Sequence, residues 1–286
     1  MCATCGCGDP SAVRVVNLNA PANEHVQVPP HDHGLDQHPH GHDHGPGLTH
    51  PHQHPNDSGV GTRTVSIEQD LLAKNAAMAR TNRLWLADRR ITSVNLMSSP
   101  GSGKTTLLER TIRDLGVRLP VSVIEGDQET TLDAQRIRAT CAQVVQINTG
   151  AGCHLDANMM FRGMNELSPL CGSLLFVENV GNLVCPALFD LGESARAVII
   201  SVTEGHDKPL KYPHMFAAAD VVVVNKMDLL PYVDFDVDRC RENAYVVNPD
   251  VDVLTVSATT GTGLETWYDW LASVDADAHL ARPASH

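Results

Sequence analysis

Val94-Asn95-Leu96-Met97-Ser98-Ser99-Pro100-Gly101-Ser102-Gly103-Lys104-Thr105-Thr106 passes from an apolar strand through a glycine-bearing loop into a helical stretch. That order is the signature of a phosphate-binding loop. Successive backbone N–H groups and the helix N-terminus surround phosphate oxygens. Gly101 and Gly103 permit the tight backbone, with Ser102 between them, and Lys104 reaches the outer phosphates. The Thr105 hydroxyl suits Mg2+, and Thr106 continues the helix start. The pattern departs in one place: Ser98 stands where the first glycine of G-x-x-x-x-G-K-S/T is expected.

Outward from this loop, apolar runs alternate with helical stretches. The strand candidates are Val94–Met97, Val121–Ile124, Val144–Ile147, Leu174–Val177, Val198–Val202, Val221–Val224 and Val253–Val256. Continuous Val/Ile/Leu character suits strands covered on both faces, hence a parallel sheet between helices. The expected fold is α/β, a three-layer P-loop NTPase with a mostly parallel central sheet flanked by helices. It occupies residues 63–286. Its order begins near Ser66, where Ser66-Ile67-Glu68-Gln69 has the form of a capping box. Residues 1–62 form a separate segment, rich in Cys, His, Pro and Gly, with too few apolar residues to repay ordering; disorder without metal is expected there.

Three further stretches lie where a guanine-nucleotide switch needs them. Asp127, in Glu125-Gly126-Asp127, can reach Mg2+. Glu178-Asn179-Val180-Gly181 resembles D-x-x-G with Glu for Asp. This sets the Glu178 carboxylate near the Mg2+ shell and the Gly181 N–H near the γ-phosphate. Asn225-Lys226-Met227-Asp228 follows a buried strand about 120 residues after the phosphate loop. The Asp228 carboxylate can accept from guanine N1–H and the 2-amino group, a donor pair adenine lacks. Ser257-Ala258 resembles the last guanine-contacting segment. GTP and GDP are therefore the expected nucleotides. Lys104, Thr105, Asp127 and Glu178 are expected to serve hydrolysis by positioning and charge stabilisation.

Cys153 and His154 follow Thr149-Gly150-Ala151-Gly152, and Cys185 lies four residues past Gly181. Loops leaving the carboxyl ends of parallel strands gather on one edge, the edge that carries the phosphate loop. A nearby helix N-terminus would favour the Cys153 thiolate. Spacing alone leaves open whether these are metal ligands or small residues in ordinary loops. The position of Cys185 weighs towards ligation, because a switch at Gly181 would pull on it directly. Three ligands fall short of a tetrahedral shell, so water or a second subunit would complete it. Cys141, Cys171 and Cys240 read as structural, His206 and His214 as surface residues, and Trp267 and Trp270 as packing residues.

The head carries Cys2, Cys5 and Cys7 as C-x-x-C-x-C, followed by ten histidines between residues 25 and 54, among them His31, His33, His38, His40, His42 and His44. Thiolate and nitrogen donors in a plane suit Ni2+, and a tetrahedral set suits Zn2+. The imidazoles read as a multi-ion buffer without fixed geometry. A redox cysteine pair and half of a zinc finger are the rival readings, weakened because no second cysteine pair follows at finger spacing. A net charge of −13 opposes non-specific nucleic-acid binding. No apolar run nears the roughly 20 residues of a membrane span, and no secretory signal is evident. A cytoplasmic protein with reduced thiols is expected.

Taken together, the Cys2–Cys7 start, the His tract, Asn95–Leu108, Gly126-Asp127, Cys153-His154-Leu155-Asp156, Glu178–Asp190 and Asn225–Asp228 resemble HypB, the nickel-incorporation GTPase family of [NiFe]-hydrogenase maturation. The resemblance covers essentially the whole chain. It implies slow GTP hydrolysis, a homodimer promoted by GTP and metal, a HypA-type nickel chaperone as partner, and delivery towards the hydrogenase large subunit. It further implies that Cys2, Cys5 and Cys7 form a tight nickel motif, and that Cys153, His154 and Cys185 form a metal site at the dimer interface. The alternatives are a nickel/zinc storage protein with a regulatory GTPase, and an accessory GTPase of the urease or cobalamin type.

Overall fold

The computed structural model describes residues 13–19, 60–127, 132–150 and 152–280. The ligands expected at Cys2, Cys5, Cys7, His31, His33, His38, His40, His42 and His44 lie outside the described residues. In chain order the elements are β1 (Arg14–Asn17), α1 (Val60–Arg89), β2 (Thr92–Ser98), α2 (Lys104–Leu115), β3 (Val121–Asp127), α3 (Leu132–Arg138), β4 (Gln143–Asn148), α4 (Ala157–Leu167), β5 (Leu174–Glu178), β6 (Ala195–Ser201), α5 (Lys208–Lys211), α6 (Pro213–Ala217), β7 (Val221–Asn225), α7 (Val237–Val247), β8 (Asp252–Thr255) and α8 (Leu264–Leu280). The eight strands form one sheet in the order β1-β4-β3-β5-β2-β6-β7-β8. All pairings are parallel except β1 with β4.

All seven expected strands are present, and helices cover both faces of the sheet. On one face Leu107, Ile112, Trp267 and Leu271 pack with Val94, Leu96 and Phe176. On the other, Leu86, Met160 and Met164 pack with Ile124, Ile147 and Leu175, while Phe216 and Cys240 pack with Val198 and Val222. β2 is buried along its full length, as its apolar run requires. Trp267 and Trp270 stack at 5.3 Å in the core, and the Trp267 indole donates to Thr111 Oγ1 at 2.9 Å, so both are packing residues. Cys240 is buried, but Cys141 and Cys171 lie on the surface and hold no core together.

Two features differ from the sequence expectation. Residues 14–17, within the segment set apart as 1–62, form the antiparallel edge strand β1; Val13 and Val15 pack on the core and the strand covers the free edge of β4. A short Val-Arg-Val-Val run therefore orders where the surrounding composition does not favour order. The first long helix begins at Val60, so Ser66 lies inside α1 and does not cap it.

Candidate nucleotide and metal site

β2 ends at Ser98, which keeps register with Ile199 of β6 and is fully buried. Because Ser98 still belongs to the strand, no glycine is needed there. The turn lies further on, at Gly101 with φ +76° and Gly103 with φ +92°. α2 then starts at Lys104, with its first-turn N–H groups at the loop. Ser99 is held by the Glu204 carboxylate, whose other oxygen accepts the Ser201 N–H at 2.9 Å. Glu204 was not singled out in the sequence; nothing in its neighbourhood marked a loop-pinning role.

The Asn225–Asp228 stretch is built against the same loop. Asn225 Nδ2 donates to Ser102 O at 3.0 Å, and its Oδ1 accepts the Ala258 N–H at 3.1 Å. Lys226, with φ +63°, reaches Gly101 O at 2.6 Å. Ser257 Oγ donates to Asp228 Oδ1 at 2.5 Å and orients the carboxylate. Thus Gly101, Ser102, Gly103, Asn225, Lys226, Asp228, Ser257 and Ala258 converge. Thr106 lies on the α2 flank, where Arg136 donates to its hydroxyl at 3.2 Å.

Glu178 lies at the end of β5, beside β2. Its Oε1 accepts from Lys104 Nζ at 3.0 Å and Thr105 Oγ1 at 2.6 Å. Its Oε2 is buried and has no hydrogen-bond partner among the described residues. Asp127 ends β3, in the strand next to β5. Thr105 and Glu178 are bonded to each other, and Asp127 ends the neighbouring strand at the same edge of the sheet; hard oxygen donors of this kind could hold Mg2+. Glu125 stands in register opposite Glu178 and is equally buried. Burial, and then the neighbouring Glu178 and Asp127 charges, push its carboxyl up to about 9, so it is neutral at pH 7. In the sequence Asp127, and not Glu125, stands out as the carboxylate of this stretch.

The second constellation lies on the same edge. One ligand atom from each of Cys153, His154 and Cys185 falls within 4.8 Å of the others. Cys153 Sγ is 3.7 Å from His154 Nδ1. The His154 ring is buried and stacks on Phe189 at 3.9 Å, which fixes its plane. Burial lowers its pKa against the opposing pull of Asp156, keeping the neutral, metal-competent imidazole. Asp156 caps α4 by accepting from Met159 N, so the helix end serves that carboxylate and not the Cys153 thiol.

The two constellations touch through the segment from Glu178 to Cys185. Asn179 Oδ1 accepts the Leu155 and Val180 amides at 3.1 and 3.0 Å, and Asn179 O accepts from Lys104 Nζ at 2.6 Å. Asn182 Nδ2 reaches Cys153 O at 3.4 Å. Gly126 packs so tightly on Leu155 that a Cβ there would meet its side chain at 2.8 Å. Gly181 rests on Pro100 of the phosphate loop. A cavity of about 340 Å³ opens between the two sites, lined in part by Ser99, Cys153, Gly181 and Asn182. Asn179 and Asn182 went unremarked in the sequence, though both lie in the stretch between Glu178 and Cys185.

Residues 92–255 match the family model described as "CobW/HypB/UreG, nucleotide-binding domain". The chain is 44% identical over 284 residues to "Hydrogenase maturation factor HypB" of Escherichia coli (strain K12), covering 95% of this chain and 98% of that one. It is 58% identical over 209 residues to the protein of the same name from Rhizobium leguminosarum bv. viciae, covering 73% and 70% respectively. Among solved structures it is similar to HypB from Helicobacter pylori in complex with nickel, with a TM-score of 0.68 at 34% identity, covering 74% of this chain and 99% of that chain. It is also similar to the hydrogenase maturation factor HypB from Archaeoglobus fulgidus, with a TM-score of 0.67 at 40% identity, covering 71% and 99%.

Proposed function

Because the chain belongs to the HypB family of hydrogenase maturation factors, we propose that it is a GTP-hydrolysing nickel metallochaperone whose nucleotide state sets the metal affinity of Cys153, His154 and Cys185. The observation that carries this reading is the shared segment Glu178–Cys185. It begins at a carboxylate bonded to Lys104 and Thr105 and ends at a metal-site cysteine, with Asn182 bonded to the Cys153 carbonyl between them. A movement of Gly181 towards a γ-phosphate cannot leave Cys185 where it was.

Asp228, oriented by Ser257, selects guanine. Thr105, Asp127 and Glu178 would hold Mg2+, which would supply charge neutralisation at the outer phosphates. Lys104 positions the same phosphates, and the Gly181 N–H faces the terminal one. Nickel is the cargo, and Zn2+ is the competing ion for two thiolates and an imidazole. Three protein ligands leave a fourth position for water or for a second copy, and the reading takes the second copy, a homodimer promoted by GTP and metal. A HypA-type chaperone and the hydrogenase large subunit are the onward partners. The setting is cytoplasmic, and no helix among the described residues is long and apolar enough to cross a membrane.

The test is nickel affinity and stoichiometry with GDP and with a non-hydrolysable GTP analogue, on the full-length protein and on Cys185→Ala. A 100-fold change between nucleotide states requires about 2.7 kcal/mol of coupling. Equal affinities in the two states would overturn the reading.

A further inference from the structure

Lys104, Lys226 and Lys208 stand around the phosphate loop, and the first two are already engaged. Lys104 Nζ donates to Glu178 Oε1 at 3.0 Å and to Asn179 O at 2.6 Å, and Lys226 Nζ donates to Gly101 O at 2.6 Å. Lys208, the first residue of α5, is different. Its ammonium carries three donors. Among the described residues it has only an ion-pair contact with Glu204 Oε2 at 3.3 Å and the Tyr212 ring at 5.2 Å. Nor is this an ordinary surface pair. The Lys208 and Glu204 side chains are 18% and 13% exposed, whereas Lys211 and Asp207, paired at the same short helix, are 62% and 46% exposed. An ammonium largely removed from water needs good partners, and one contact at 3.3 Å satisfies it poorly.

Its position suggests the missing partner. Glu204 Oε2 also accepts from Ser99 Oγ. Two successive contacts of this kind put Lys208 Nζ within about 6 Å of the Ser99 hydroxyl. The next residue, Pro100, supports Gly181, where a Cβ would meet it at 3.5 Å. Lys208, Ser99, Pro100 and Gly181 line one cavity of about 340 Å³. On the GTPase reading the Gly181 N–H faces the terminal phosphate, so that phosphate would stand at the wall of this cavity. The flexible four-carbon stem lets the ammonium swing away from Glu204 without moving α5.

We propose that Lys208 binds the terminal phosphate of GTP in its own chain and so distinguishes GTP from GDP, with Glu204 holding the ammonium ready while that phosphate is absent. The proposal rests on the GTPase reading above and adds the residue that reads the third phosphoryl group. Lys104 serves the outer phosphates of either nucleotide, whereas Lys208 reaches the one that GDP lacks. The chemistry is a charge-assisted contact between a mobile ammonium with unused donors and an additional anionic group. The exchange leaves the phosphate loop pinned, because Glu204 keeps Ser99 on one oxygen and the Ser201 N–H, at 2.9 Å, on the other.

The experiment measures Kd for GDP and for a non-hydrolysable GTP analogue, both with Mg2+, on the full-length protein, Lys208→Met and Lys208→Arg. Lys208→Met keeps the stem and removes the charge. It should weaken the analogue about 30-fold and GDP by less than about twofold, and Lys208→Arg should recover most of the difference. A purely structural lysine would weaken both nucleotides together; that outcome, or an unchanged ratio in Lys208→Met, overturns the assignment. Titrations at about 0.5 and 20 μM protein should give the same ratio. A loss seen only at the higher concentration would put Lys208 on the nucleotide of a second copy and overturn the proposal. Lysine acylation of the unaltered protein, read by mass spectrometry, should spare Lys208 with the analogue but not with GDP. This measurement stands even where Lys208→Met does not fold, and equal labelling in the two states overturns the proposal. A full-length protein that binds neither nucleotide would overturn the GTPase reading itself, whereas normal binding of both with an unchanged ratio in Lys208→Met overturns Lys208 alone.

Discussion

Asn179 Oδ1 accepts the Leu155 amide at 3.1 Å, joining the residue after Glu178, which is bonded to Lys104 and Thr105, to the residue after His154 of the candidate metal cluster. The same oxygen takes the Val180 amide, and Asn179 Nδ2 donates to Asn95 Oδ1 at 3.3 Å, so the side chain is buried with its polar atoms in use. Removing it to alanine orphans two buried N–H groups, at about 1–3 kcal/mol each. Thermal unfolding of Asn179→Ala should fall by roughly 5–10 °C. The sharper outcome concerns coupling: nickel titrations with GDP and with a GTP analogue should converge in Asn179→Ala. A full nucleotide-dependent difference in that variant would remove Asn179 from the connection.

Asp228 is expected to read guanine as an acceptor of two donors. In Asp228→Asn the side-chain amide presents a donor where the 2-amino group needs an acceptor, at a cost of about 2–3 kcal/mol. GTP affinity should fall about 100-fold, and xanthosine triphosphate, with a C2 carbonyl in place of the amine, should bind better than GTP. Ser257→Ala loses only the 2.5 Å bond that aims the carboxylate and should cost less than tenfold. Competition against a fluorescent GDP reads both.

The apolar runs around the phosphate loop were enough to find seven strands, because strands buried on both faces admit little else. The loop residues were legible for the same reason: Gly101, Gly103 and Lys104 follow a strand and precede a helix, and that context carries the chemistry. β1 was hidden by its setting. Val13–Val16 is a short Val-Arg-Val-Val run inside a Pro/His/Gly tract, and the open edge of β4 and the flank of α4 give it partners. Glu125 and Asn179 were illegible as buried polar residues because their roles depend on neighbours from other strands. Register sets Glu125 against Glu178, and Asn95 of β2 meets Asn179 beyond β5. Glu204 is the same case, with Ser99 more than 100 residues away.

Glu125 predicts a pH dependence of the nucleotide-free protein. Its carboxyl is raised to about 9 by burial and by Glu178 and Asp127, whereas in the unfolded chain it titrates near 4.5. Between those values the folded state holds a proton that the unfolded state has lost. Stability therefore falls as pH rises through that window. Glu125→Gln keeps the shape and cannot ionise. At pH 8 it should be more stable than the parent protein by roughly 1–3 kcal/mol, with the difference vanishing near pH 4.5. Denaturant melts at the two pH values measure this, and a variant equally stable or weaker at pH 8 would contradict it.

The two loop glycines should behave differently, although both have positive φ. At Gly101, φ +76°, a Cβ would meet nothing within 4 Å, so Gly101→Ala costs only backbone strain, about 1 kcal/mol. At Gly103, φ +92°, a Cβ would lie 2.6 Å from Asn225 Nδ2. Asn225 cannot retreat cheaply, because it holds Ser102 O and the Ala258 N–H at once. Gly103→Ala should then cost about 3 kcal/mol, from strain plus the loss of those bonds. The collision is with a side chain, so it can be removed. Asn225→Ala in the Gly103→Ala background should restore part of the loss, giving a favourable interaction energy of about 1–2 kcal/mol in a double-mutant cycle. Additive losses would mean that the loop yields at Gly103 without disturbing Asn225.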